Sequence, residues 1–125
     1  MMREEQRLQQ SVAAYLAVAL GPRTFWTAIL ANPRNKVHGA IQKSMGLQAG
    51  CPDLMVFWDG RAIGIELKSG AGRISLAQRE THKRMGAAGV PVFLARSLDD
   101  VRIALRAAGC PLREHQFSGG DAPRP

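Results

Sequence analysis

The sequence predicts a mixed α/β domain, a β-sheet flanked by helices in the order α-β-β-β-α-β-α. Three observations carry this expectation. Apolar residues recur at helical spacing near the start; an Asp59-Gly60 pair separates two apolar runs; and a further apolar run lies between two segments with S-x-x-[QD] helix starts. At 125 residues and 46% hydrophobic content the chain can bury one core and is too short for two ordinary domains.

The elements follow in order. Residues 4 to 20, EEQRLQQSVAAYLAVAL, place Leu8, Val12, Tyr15, Leu16 and Ala19 on one helical stripe, and Gly21-Pro22 ends the helix. RTFWTAIL, 23 to 30, is aromatic and β-branched and reads as a strand closed by Asn32-Pro33. Residues 34 to 50 form a basic, Gly-containing connection with room for a short helix near 40 to 45. Two strands, 53 to 58 and 62 to 68, are joined at Asp59-Gly60. After the loop SGAGR, a helix starts at Ser75, with Gln78 completing a capping box, and ends at Gly89. VPVFLAR, 90 to 96, is a strand, and SLDDVRIALRAAG, 97 to 109, is a last helix starting at Ser97 and Asp100. The polar, Gly/Pro-rich tail from 113 to 125 predicts disorder, leaving a folded domain at 1 to 112. There are no internal repeats.

Net charge is +7 and the isoelectric point near 10.5, which favours a polyanionic partner. The excess is concentrated: Gln6 to Arg79 holds Arg7, Arg23, Arg34, Lys36, Lys43, Arg61, Lys68, Arg73 and Arg79 against Asp53, Asp59 and Glu66, or +6. No apolar run approaches the roughly 18 residues of a membrane span, and MMREEQRLQQ lacks the basic and apolar regions of a signal peptide. A soluble cytoplasmic protein is expected. Cys51 and Cys110 show no metal-ligand spacing and read as reduced thiols.

The hairpin register bears on chemistry. A two-residue turn at Asp59-Gly60 pairs Trp58 with Arg61, so that Asp53 falls opposite Glu66. Opposed residues share a face with Cβ atoms ~4.5–5.5 Å apart, and Lys68, two beyond Glu66, shares it too. Two like charges at ~5 Å and an effective dielectric of ~20 repel by about 3 kcal/mol, so the pair needs a compensating partner. Lys68 is one; a hard divalent cation that takes carboxylate, water and phosphate oxygens is another. Glu5 lies at the centre of the apolar stripe of the first helix, pointing toward the sheet, although an acid in a first turn also complements the helix dipole.

Pro52-Asp53 and Glu66-Leu67-Lys68, with twelve residues between Asp53 and Glu66, match the PD-(D/E)XK nuclease signature. With Gly46 to Gly50 ahead of PDL, GRAIGIELKSGAGRIS, Gln78 on the next helix and the E-x-x-x-Q beginning at Glu5 to Gln9, the chain from Glu5 to about Leu105 resembles small stand-alone VRR-NUC domains. The resemblance implies a restriction-endonuclease-like sheet and a Mg²⁺- or Mn²⁺-dependent deoxyribonuclease. In it Asp53, Glu66 and the Leu67 backbone carbonyl would ligate the metal, with Glu5 ligating directly or through water. Lys68 would position or activate the attacking water, or act as a charge on the phosphate, and Gln78 would line the site. Relatives often carry Q-x-x-x-Y on that helix; here the fifth position is His82, whose role stays open. For Gln78 the capping-box reading stands beside the site reading.

Arg34, Lys36, Lys43 and Arg73 are candidate DNA-backbone contacts as a group, each also readable as a solvated charge. Cys51 and His38 read as an ordinary buried thiol and an ordinary loop histidine, and Trp26, Phe57 and Trp58 as sheet packing or an interface. The resemblance implies branched or four-way junction DNA as substrate, a homodimer carrying two sites, and partners among DNA-repair, recombination or phage proteins. A nicking or flap nuclease acting with partners is the alternative within that class, and a catalytically silent DNA-binding module is the alternative outside it.

Overall fold

The computed structural model describes residues 3–31 and 33–113. The tail expected to be disordered lies outside these residues apart from Arg113. Eight elements run in the order α1 (Arg3–Ala19), β1 (Thr24–Ala28), α2 (Lys36–Ser44), β2 (Leu54–Trp58), β3 (Arg61–Leu67), α3 (Leu76–Ala87), β4 (Val92–Ala95) and α4 (Leu98–Ala108). The expected mixed α/β architecture is present, with one addition. The connection that sequence left unsettled holds a full helix, α2, capped by Asn35, whose side chain accepts from His38 N–H at 2.8 Å. His38 is tied into the same start, its Nδ1 accepting from Arg34 N–H. No residue of α2 is buried, and Val37, Ile41 and Met45 are exposed along one side. The helix is short, and its apolar side stays exposed, so it adds nothing to the core.

The sheet order is β1-β2-β3-β4, antiparallel through β3, with β4 parallel to β3. The parallel pair is possible because α3 supplies the crossover. At the hairpin, Asp59 and Gly60 have φ of 48° and 73°, so both sit in the left-handed region that a type I′ turn requires. The turn fixes the register: Trp58 faces Arg61, Val56 faces Ile63 and Leu54 faces Ile65.

That register sorts the side chains by face. Leu54, Val56, Trp58, Ile63, Ile65, Leu67 and Ala95 point to one side and pack with Val12, Leu16 and Leu20 at α1 and Val101 and Leu105 of α4. This is the core. Fully burying each large apolar side chain among them contributes about 1.5–3 kcal/mol, and those on α1 belong to the stripe read from the sequence. The chain closes with Leu112 bridging to Leu20 and Arg113 N–H donating to Ala19. Ser97 accepts from Asp100 N–H as expected, while the Asp100 carboxylate accepts from Arg96 N–H rather than from the cap residue itself. Among the described residues no helix is long and apolar enough to cross a membrane.

The opposite face of the sheet carries the unusual residues. Pro52 lies against Gly64: a Cβ at Gly64 would sit 2.7 Å from Pro52 Cγ, closer than side chains tolerate. The bare glycine lets the segment leading into Asp53 lie flat on β3.

Candidate active site

The β2–β3 ladder stops at Leu54 and Ile65, one pair before Asp53 and Glu66. In a two-residue hairpin, hydrogen-bonded pairs alternate from the turn outward, so the next such pair would be Pro52 with Leu67. Pro52 has no N–H to give. Leu67 N–H instead donates to Asp53 Oδ2 at 2.7 Å, while the Asp53 carbonyl accepts from Ile29 N–H on the other side. Asp53 is thereby held by backbone N–H groups on both sides, Leu67 on its carboxylate and Ile29 on its carbonyl.

Glu66 is only 2% exposed. Both its oxygens are engaged from α3: Gln78 Nε2 donates to Oε2 at 3.0 Å, and His82 Nε2 lies 3.1 Å from Oε1. Gln78 does this while remaining in the capping box, its Oε1 accepting from Ser75 N–H and its own N–H donating to Ser75 Oγ. The two readings of Gln78 hold together, because the side-chain amide has an acceptor for the cap and a donor for the carboxylate.

Burial first and the neighbouring Asp53 second push the Glu66 carboxyl up to about 8, with Lys68 pulling the other way. Burial also holds the His82 imidazole below its ordinary value. Near neutral pH and without a cation the two are therefore joined by a neutral hydrogen bond rather than an ion pair. A buried carboxyl beside a second carboxylate, both lining a cleft, marks a candidate functional site.

Glu5, Gln9, Lys43, Asp53, Glu66, Lys68 and Gln78 line one cleft of about 410 Å³, walled also by Cys51 and by Gly39 and Gln42 of α2. Glu5 comes from the first turn of α1 and is close enough to raise the Glu66 carboxyl further. A Cβ at Gly72 would lie 3.5 Å from Glu5 Oε2 and 3.6 Å from Lys68 Cδ, so the loop after β3 passes close to both side chains. Of the four expected DNA contacts the structure brings only Lys43 to the cleft; Arg34, Lys36 and Arg73 are exposed and do not line it. His82 is the residue whose part sequence reasoning did not assign. Its signal was the spacing of four from Gln78, which puts both on one face of α3.

The position of α3 depends on Gly50. Its φ is +83°, and a Cβ there would lie 2.3 Å from the Ala77 carbonyl oxygen. Backbone thus touches backbone where the segment before Asp53 meets the first turn of α3. Thr81 Oγ1 donates to the Ala49 carbonyl one turn further on.

Neither a family model nor a curated protein matches the sequence. Among solved structures, a chain described as "VRR_NUC domain protein" superposes with a TM-score of 0.65 at 20% identity, covering 86% of this chain and 88% of that one. The fold is that of a VRR-NUC domain. The coverage takes in nearly all the described elements, so the likeness concerns the whole architecture.

On this VRR-NUC fold the cleft has donors suited to a hard cation. Among the described residues no three His, Cys, Asp or Glu side chains are grouped to hold a metal ion, so the candidate is the Asp53–Glu66 pair. Two carboxylates are what Mg²⁺ commonly takes from a protein, the remainder being water and phosphate oxygens. The fit is electrostatic as well, since a cation relieves the Asp53–Glu66 repulsion that raises the Glu66 carboxyl. Leu67 buries its side chain in the core and follows Glu66 on β3.

Proposed function

We propose that the chain is a Mg²⁺- or Mn²⁺-dependent DNA endonuclease that hydrolyses phosphodiester bonds, selective for branched or four-way junction DNA. The VRR-NUC fold supports a nuclease-type role in DNA processing. The observation that carries the reading is the buried Glu66 beside Asp53, with Lys43 and Lys68 on the same cleft. A protein that only binds a polyanion gains nothing from burying a carboxyl next to another where the phosphates would lie.

Asp53 and Glu66 would hold the cation, assisted by the Leu67 carbonyl, with Glu5 reaching it through water, since among the described residues no third acid is grouped with the pair. When bound, the cation supplies Lewis acidity toward the scissile phosphate and acidifies water. Lys68 holds the attacking water or neutralises the phosphate oxygens, Gln78 keeps Glu66 in place, and Lys43 holds the strand on the cleft wall. The water oxygen forms a bond to phosphorus, the bond to the leaving sugar oxygen breaks, and the water proton ends on that oxygen. Arg34, Lys36 and Arg73 contact phosphates beyond the cleft. Cutting both strands of a junction needs two sites, so the active species is a homodimer, acting in the cytoplasm with DNA-repair, recombination or phage proteins.

The deciding experiment incubates parent and Asp53→Ala with labelled linear, flap and four-way DNA, with Mg²⁺ or Mn²⁺ and with chelator. The parent is expected to cut, chelator to stop it, and Asp53→Ala to stay folded, bind at least as well and lose cleavage. Equal cutting by the two proteins removes Asp53 from the mechanism. Binding by the parent without cuts under either metal makes the domain a silent DNA-binding module.

A further inference from the structure

The carboxylate of Glu66 is gripped at both oxygens by side chains four residues apart on α3, Gln78 on Oε2 and His82 on Oε1. Two points fix the roll of a carboxylate about its Cγ–Cδ bond, whereas one leaves it free to rotate. The Gln78 amide cannot trade its oxygen for its nitrogen, because Oε1 is already bound to Ser75 N–H. With Gln78 on Oε2 and Asp53 beside the same carboxyl, the hold on Oε1 from α3 is supplied by residue 82. His82 is only 13% exposed on its side chain, and its ring reaches the carboxylate because Gly50 lets α3 lie against the segment before Asp53.

We infer that His82 is a positioning residue for the divalent cation: its Nε2–H aims the Glu66 carboxylate so that a lone pair faces the cleft beside Asp53. This inference depends on the metal-dependent reading above. When Glu66 is ionised by a bound cation it offers only acceptors, so the Nε2 of His82 must carry the hydrogen, and the ring nitrogen left over is Nδ1. His82 does not touch the cation or the DNA in this role. Hydrogen-bond partners of metal ligands typically govern metal affinity by 10- to 100-fold, since an unaimed ligand must be ordered at each binding event.

The test measures Mn²⁺ binding directly, by the loss of the free-ion electron paramagnetic resonance signal, for parent, His82→Phe and His82→Gln. Phe keeps a ring of similar bulk without a donor. Gln carries an N–H the same number of bonds from Cβ as His Nε2. His82→Phe is expected to bind Mn²⁺ about 10-fold or more weakly. The metal concentration giving half-maximal cutting should rise in parallel, while the rate at saturating metal stays close to that of the parent. His82→Gln should restore most of the affinity. A folded His82→Phe with parental Mn²⁺ affinity overturns the inference and leaves the nuclease reading standing, as does a His82→Gln as weak as His82→Phe. A parent that neither takes up Mn²⁺ nor cuts DNA overturns both.

Discussion

Glu66 is the residue on which charge, burial and geometry meet, and its titration gives a measurable consequence. In the unfolded chain this carboxyl loses its proton near 4.5; in the folded, cation-free protein it keeps it to about 8. Between those values the folded state binds more protons, so stability falls as pH rises, by at most about 1.4 kcal/mol per pH unit. Below about 6.5 the buried His82 works in the opposite sense, because a group whose value is lowered by burial must charge on unfolding as the solution acidifies. The useful window is therefore from about 6.5 to 8. With chelator present, the melting temperature of the parent is expected to drop across that window, and that of Glu66→Gln to stay nearly level. Added Mg²⁺ should raise the parent most at the alkaline end, because the cation binds the ionised form. A parent and variant with parallel pH profiles would mean that Glu66 ionises as an ordinary carboxyl. Gly64 offers a steric counterpart. An added methyl would press on Pro52 from 2.7 Å, so Gly64→Ala is expected to cost about 1–3 kcal/mol in urea unfolding and to displace Asp53 with the ring.

At the scale of elements, α3 brings donors to a carboxylate that belongs to the sheet. Its start is set by the reciprocal Ser75–Gln78 bonds and its distance by Gly50. Ser75→Ala removes the acceptor for Gln78 N–H and is expected to cost about 1 kcal/mol in denaturant unfolding. Mn²⁺ affinity should fall as well, because the first turn that carries Gln78 loosens. Gly50→Ala is expected to cost on the order of 2 kcal/mol or more, since it combines left-handed backbone with a clash against the Ala77 carbonyl. These contrasts show where sequence was informative. The Asp-Gly turn determines register by local conformation alone, so the convergence of Asp53 and Glu66 was legible before any tertiary contact was known. The S-x-x-Q start was legible for the same reason. The His82 contact was not, because it depends on how closely a helix approaches a strand sixteen residues earlier in the chain. Nor was α2, whose side chains report almost no burial pattern. The early end of the ladder at Leu54 follows from Pro52, a constraint visible in the sequence yet meaningful only once the hydrogen-bonding parity of the pair is known.

For the whole molecule, the question is how a cleft centred on acids admits a polyanion. The chain carries +7 overall, and Lys43 and Lys68 stand on the cleft itself, while Arg34, Lys36 and Arg73 are exposed outside it. If DNA is the partner, long-range attraction would come from the surface as a whole, and a bound cation would add to Lys68 in offsetting the local repulsion from Asp53. These two contributions separate under salt. Each phosphate neutralised by a lysine or arginine contributes about −0.9 to the slope of log affinity against log salt. If Lys43 grips backbone, Lys43→Ala should lower the magnitude of that slope by about 1 and weaken binding equally on different sequences. Asp53→Ala should raise affinity in chelator without a comparable loss of slope, because it removes a repulsion and leaves every cationic contact in place. Filter binding on one duplex between about 50 and 200 mM salt distinguishes the two substitutions. A Lys43→Ala protein that keeps the parental slope but cuts slowly would place that lysine on the reacting phosphate, and the grip on the strand would then fall to the arginines outside the cleft.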